Sequence, residues 1–140
     1  GGVGMASAED YCLATKFSEV KLSELNIGIG PFVVGPAVER KVGVSAMSQM
    51  TINADHFHSA EWARSKGLFT NVYETAAEMD EAVSKLADYL LSKNPEAQRE
   101  LKKVFWRGCE DWDELLESRA ELSGKMVLSD YTKEILAKYA

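Results

Sequence analysis

The sequence changes character near residue 75, and that change limits the folds open to it more than any other feature. Before it, short apolar runs are broken every few residues by glycine or proline; after it, apolar residues recur every three or four positions through capped segments. Thr75-Ala76-Ala77-Glu78 is a capping box, and Met79, Val83, Leu86 and Leu90 follow at helical spacing. Asn94-Pro95 combines an N-cap with proline at the first helical position, leading to Leu101, Val104 and Phe105 on one side. Asp111 with Glu114 repeats the capping signal ahead of Trp112, Leu115, Leu116 and Leu122, and Ser129 starts a last helix running to about Lys138. Each segment has one apolar face and none would stay folded alone, so these helices need the first half of the chain or another subunit as a partner.

Residues 1–74 read as a mixture of strands and short helices. A helix is expected from residue 3 to about 9, a buried strand at Tyr11-Cys12-Leu13-Ala14, and a second strand at Val20-Lys21-Leu22. Glu24 is the only acidic residue of the alternating run from Val20 to Leu25 and stands near its end. Gly28, Gly30 and Pro31 then break the pattern, and Gly35-Pro36 opens a helix with Ala37, Val38 and Val42 inward and Gly43 just past its end. Ser45 can cap the next helix, whose apolar stripe is Ala46, Met47 and Met50. A short helix from Ser59 to Lys66, stopped by Gly67, precedes an alternating strand from Leu68 to Tyr73. The expected class is therefore α/β over 1–74, followed by an all-helical region over 75–140.

Composition removes several classes of function. The net charge of −6 argues against a general nucleic-acid surface or an anionic-membrane surface, either of which needs a basic field. No apolar run approaches the ~18 residues of a membrane span. Cys12 and Cys109 lie far apart, with neither a CxxC nor a metal-binding spacing, and read as free thiols of a reducing compartment, hence a cytoplasmic location. His56 and His58 form an HxH pair without a third ligand at a suitable spacing, so the reading is a polar connection between helices and no metal. Ser45, Ser48 and Ser59 lack a nucleophile-elbow context, and the acidic run around Glu110 and Glu117 reads as a solvated helix start.

Chemistry is expected in the first thirty-one residues. Gly1, Gly2 and Gly4 stand where a helix begins; free backbone N–H groups there suit a developing oxyanion, and glycine lets a ligand approach the backbone. With Glu24 some twenty residues later, the chain carries an oxyanion site and a carboxylate that together can serve acid/base work.

These same stretches, GGVGMASAEDYCLAT, VKLSELNIGIGP, GPAVERKVG and SAEWARSKGL, resemble the second half of an enoyl-CoA hydratase/isomerase, the crotonase superfamily, from Gly1 to roughly residue 130. The order and spacing of the blocks carry the likeness. It implies a spiral of ββα turns followed by a helical region that mediates formation of a homotrimer or a hexamer. It further implies a CoA thioester as substrate, with no separate cofactor. The sequence opens without Met in what the resemblance places mid-domain, so an N-terminal half carrying part of the active site is expected outside these residues.

Residue by residue, the resemblance makes Glu24 the carboxylate facing the α and β carbons of the acyl group. Gly1, or Gly2 one residue on, becomes the oxyanion donor, and Gly2, Gly4, Gly28 and Pro31 join the substrate site. Met47 and Met50 border the acyl pocket or simply fill the core. Lys125 and Lys138 could reach the phosphates of a CoA on a neighbouring subunit. One departure matters. Gly4 occupies the place of the second glutamate of the hydratase pattern GGGxE. Hydration needs one group to activate water and another to deliver a proton, whereas moving a double bond needs a single base that lifts a proton and returns it. The expected reaction is therefore double-bond isomerisation through a thioester enolate. The alternatives are a hydratase or lyase of the same fold, and a non-catalytic fragment acting as an assembly module.

Overall fold

The computed structural model describes residues 1–138 and begins with helix α1 (Gly2–Ala8), held against the long helix α2 (Gly35–Ile52). What lets the two approach is Gly4: a Cβ there would lie 2.8 Å from Val34 Cγ1, inside any real contact. Strand β1 (Leu13–Thr15) pairs in parallel with β4 (Asn71–Tyr73), placing Ala14 opposite Val72. Strand β2 (Glu19–Val20) pairs antiparallel with β3 (His58–Ser59), placing Val20 opposite His58. Helix α3 (Ala60–Ser65) joins β3 to β4; the Ser59 hydroxyl caps it by accepting from the Trp62 amide at 3.2 Å, and Gly67, at φ 83°, ends it.

The strands are shorter than their alternating patterns imply. Leu68 and Phe69 are buried, yet only Asn71–Tyr73 joins the ladder, and the second strand stops at Val20. Side-chain alternation records which residues face the core, whereas a ladder also needs a neighbouring backbone in register. The stretch around residue 43 follows the pattern: α2 consists of two helical segments that meet at Gly43, whose non-helical backbone at φ 76° and ψ 162° only glycine adopts without strain.

Every buried apolar side chain among the described residues belongs to the first 74. Val38, Met50, Ala63 and Leu68 lie at the centre, with Ala14, Val20 and Leu22 from the strand region around them. Burying a side chain such as Met50 or Leu68 contributes roughly 1.5–3 kcal/mol. The later helices lie on the outside of this core. Helix α4 (Ala76–Leu91) packs on β1 and β4, and its capping box is complete: the Thr75 hydroxyl accepts from the Glu78 amide, and the Glu78 carboxylate accepts from the Thr75 amide. Helix α5 (Pro95–Phe105) starts under the Asn94 cap, and α6 (Trp112–Val127) and α7 (Asp130–Leu136) follow. Asp111 does not cap α6. Its backbone, at φ −94° and ψ 7°, lies outside the extended region from which a carboxylate reaches the helix amides.

The link from α1 to α5 is electrostatic. The Asp10 carboxylate accepts from Lys102 Nζ at 2.6 Å and from Trp106 Nε1 at 2.7 Å, and the Arg40 guanidinium lies 4.1 Å above the Trp106 ring. Burial works against ionisation of Asp10, but those hydrogen bonds and the charges of Lys102 and Arg40 prevail and hold its carboxyl below the ordinary value.

His56 is exposed in the connection between α2 and α3, as the pattern implies, but His58 is not solvated. His58 is a strand residue, buried, with its ring stacked 3.9 Å from Trp62 and edge-on to His56 at 4.6 Å. Its Nε2 is buried without a hydrogen-bond partner. Burial first, and the neighbouring His56 second, lower its pKa, so the neutral ring is the folded form. Among the described residues no cluster of His, Cys, Asp and Glu could hold a metal ion, and no described helix is long and apolar enough to cross a membrane.

Candidate active site

After β2 the chain turns through a single 3-10 segment, Glu24–Ile27, closed by Gly28 at φ 79°. Glu24 is therefore the first residue of a tight turn, not the last of a strand. Its backbone carbonyl accepts from the Ile29 amide at 3.2 Å, and the Leu25 carbonyl accepts from the Gly28 amide at 3.1 Å. Two further attachments fix the turn. Asn26 Nδ2 donates to Asp55 Oδ1 at 2.8 Å, beyond the end of α2, and α7 packs on the turn from the C-terminal side. Thr132 of α7 is fully buried there. Only glycine at position 28 leaves room for this, because a Cβ would lie 2.5 Å from Tyr131 Cδ1 and 2.8 Å from Thr132 Oγ1.

The Glu24 side chain is half-buried, and its Oε2 is buried with no hydrogen-bond partner. A carboxylate oxygen removed from water without a donor is costly, and such atoms in folded proteins call for a reason. Next to the turn opens a cavity of about 520 Å³. Leu25, Gly28, Gly30 and Pro31 form its near side, Met47 and Thr51 come from α2, and Met126 comes from α6. Its wall is mainly apolar, with Glu39 and Arg119 as the charged exceptions.

The structure distributes the sequence candidates over several places. Gly28 and Pro31 line the cavity beside the Glu24 turn. Gly1 and Gly2 line a different one, of about 330 Å³, with Glu19, Lys21 and Phe57. Both glycines are open above, since an added Cβ would meet nothing within 4 Å. Gly4 lines neither and is packed against Val34. Met47 and Met50, read together from sequence, separate: Met47 faces the cavity, while Met50 is fully buried in the core. Lys125 and Lys138 are exposed. Cys12 and Cys109 are free thiols; burial pushes the Cys12 thiol up, Lys41 opposing and Glu9 adding to the effect.

Sequence reading missed Glu39, Phe32, Arg119 and Met126 as cavity residues. A signal existed for two of them. Arg119 and Met126 are seven residues apart, two helical turns, and so share a face of α6. Nothing local marked Glu39, which is an exposed residue of α2 next to the buried Val38.

A small α/β core, outer helices and a carboxylate turn opening beside an apolar cavity define a crotonase-fold protein, and solved structures agree. An enoyl-CoA hydratase from Mycobacterium avium superposes with a TM-score of 0.88 at 24% identity, over 99% of this chain and 54% of its own. An enoyl-CoA hydratase/isomerase from Pseudoalteromonas atlantica T6c gives 0.86 at 21% identity, over 99% of this chain and 56% of its own. This chain thus spans about half the length of those proteins. The enoyl-CoA hydratase/isomerase family profile matches residues 1–140, and the chain belongs to that family. Comparison with curated proteins gives no match.

Proposed function

We propose that this chain supplies the carboxylate half of an acyl-CoA active site, and that the reaction is proton transfer through a thioester enolate, moving a carbon–carbon double bond. Family membership supports the acyl-CoA substrate. The observation that carries Glu24 as the acid/base group is its unpartnered, buried Oε2, at the head of a turn that is braced by Asn26 and α7 and whose next residue, Leu25, lines an apolar cavity.

Glu24 as carboxylate takes a proton from the carbon on one side of the double bond. The electron pair moves into the thioester carbonyl, giving an enolate. The backbone N–H of Gly1, or of Gly2, holds the enolate oxygen, together with a donor from the part of the protein outside these residues. The same carboxyl then returns its proton to the carbon at the other end of the allylic system, and the carbonyl re-forms. No water is consumed. An apolar wall favours such a step, because exclusion of water strengthens the hydrogen bonds to the enolate.

Position 4 supports a single carboxylate. A side chain there would run into Val34 Cγ1, so the packing of α1 on α2 fills the space that a glutamate would need. The reading is tested by Glu24→Gln in the full-length protein, which should lower double-bond migration on enoyl-CoA thioesters by about 10²–10⁴-fold, the usual contribution of a positioned acid/base group. Unchanged turnover would refute it.

A second reading has one observation in its favour. Glu39, unlike Glu24, lines the cavity itself and could act as the second acid/base group of a hydratase or lyase. Glu39→Gln would then abolish addition of water while leaving Glu24-dependent proton exchange in place.

A further inference from the structure

The apolar cavity ends at a charged wall. Glu39, Arg119 and Pro36 line it, and all three also line a second cavity of about 360 Å³ on the side of the connection between α5 and α6. Arg40, Arg107 and Arg119 line that second space, with Glu39 as the one acidic residue beside them. This is a local excess of positive charge in a chain whose net charge is −6. Among the described residues no ion pair neutralises any of the three arginines. Arg40 is held in place by stacking on Trp106 and by donating to the Phe105 carbonyl, and Trp112 and Leu115 add an apolar floor.

A guanidinium fork matches a carboxylate, which can accept two parallel hydrogen bonds from it, so arginines lining a partly apolar space suit such a group. Glu39 offsets part of the charge and so disfavours a doubly charged group such as a phosphate. Because the two cavities share a wall, the anion that fits is one tethered to an apolar chain.

We propose that the arginine-lined cavity binds the terminal carboxylate of the acyl group: the substrate is a dicarboxylic acyl thioester whose chain crosses the apolar cavity and ends among Arg40, Arg107 and Arg119. This rests on the acyl-thioester reading of the Glu24 site.

The test uses full-length protein and calorimetric titration with two saturated CoA thioesters of equal carbon number, one ending in a methyl group and one in a carboxylate. The carboxylate-ended ligand should bind about tenfold more tightly, the scale of one charge-assisted hydrogen-bonded pair. That ratio should collapse in Arg119→Leu and in Arg107→Leu, survive in large part in Arg119→Lys, and shrink as salt is raised; thermal unfolding checks that each variant is folded. Equal affinities, or a ratio that survives Arg119→Leu, would overturn the proposal while leaving the acyl-thioester reading intact. Failure of both ligands to bind would remove that reading and the proposal with it. A loss of oligomer mass in Arg107→Leu with the affinity ratio unchanged would make the cluster a subunit contact, and would also overturn it.

Discussion

The Tyr131 ring packs against Gly28 so closely that a single added carbon on Gly28 would lie 2.5 Å from Tyr131 Cδ1. The last described helix, α7, thus closes over the turn that carries Glu24, and that helix and the candidate catalytic carboxylate are parts of one packed unit. Gly28→Ala should cost about 1–3 kcal/mol, from the left-handed backbone and from overpacking together. Urea denaturation would measure the loss, and hydrogen exchange should show α7 released before the core. Because the nearest clash is with the Tyr131 ring, adding Tyr131→Ala should recover part of the loss, the contact with Thr132 Oγ1 keeping the rest, and a purely backbone cost would allow no recovery.

Position 4 offers a second test, of packing and chemistry at once. Gly4→Glu alone should destabilise the protein by about 1–3 kcal/mol, since the new side chain meets Val34 in a packed contact. Gly4→Glu with Val34→Gly opens the space and should restore stability in part. If the lack of a second carboxylate is what excludes hydration, the double variant should gain measurable water addition to an enoyl-CoA thioester.

Asp10 ties α1 to α5 through Lys102 and Trp106. Its carboxyl is depressed in the folded state, so its contribution is present in full above the unfolded value near 3.8 and is lost as pH falls through the lowered folded value. The site is partly open to water, which keeps the contribution small, on the order of 1 kcal/mol. Asp10→Ala should remove it at neutral pH and weaken the acid limb of the stability curve, with Trp106 fluorescence reporting release of the indole.

His58 gives the opposite chemistry with the same direction in pH. Its folded pKa lies below the ordinary 6.5, because burial and His56 both disfavour the imidazolium. Stability from the neutral ring is complete above 6.5 and declines as pH falls from there toward the lowered folded value. His58→Phe keeps the stack on Trp62 and removes the orphaned Nε2, so it should flatten that slope in urea titrations between pH 5 and 7.5.

Much of this architecture is legible locally. The capping box at Thr75 and Glu78 forms both of its hydrogen bonds, Asn94 caps α5, and Gly43 and Gly67 break the chain with positive φ where the pattern fails. These signals act within four residues of one another, so they survive without knowledge of the fold. Contacts between distant residues leave no such mark. Trp106 and Asp10 are 96 residues apart, and nothing in either neighbourhood names the other. The same reason leaves Glu39 without a local mark as a cavity residue, and it makes His58 read as part of a polar connection although β2 pairs beside it. Glu24 is marked by its place in the alternating run and by family likeness; its orphaned oxygen adds a physical reason that the pattern does not supply.

The most direct test of single-carboxylate chemistry follows the solvent atoms. Full-length protein would be incubated with a β,γ-unsaturated acyl-CoA thioester, in deuterated water and separately in oxygen-18 water, and the products weighed by mass spectrometry. Return of the same proton by Glu24 predicts conjugated product with no oxygen-18, with deuterium on carbon only to the extent that the carboxyl exchanges with solvent before reprotonation, and loss of that product in Glu24→Gln. A hydroxyacyl product carrying oxygen-18, formed at a rate that Glu24→Gln leaves unchanged, would contradict it.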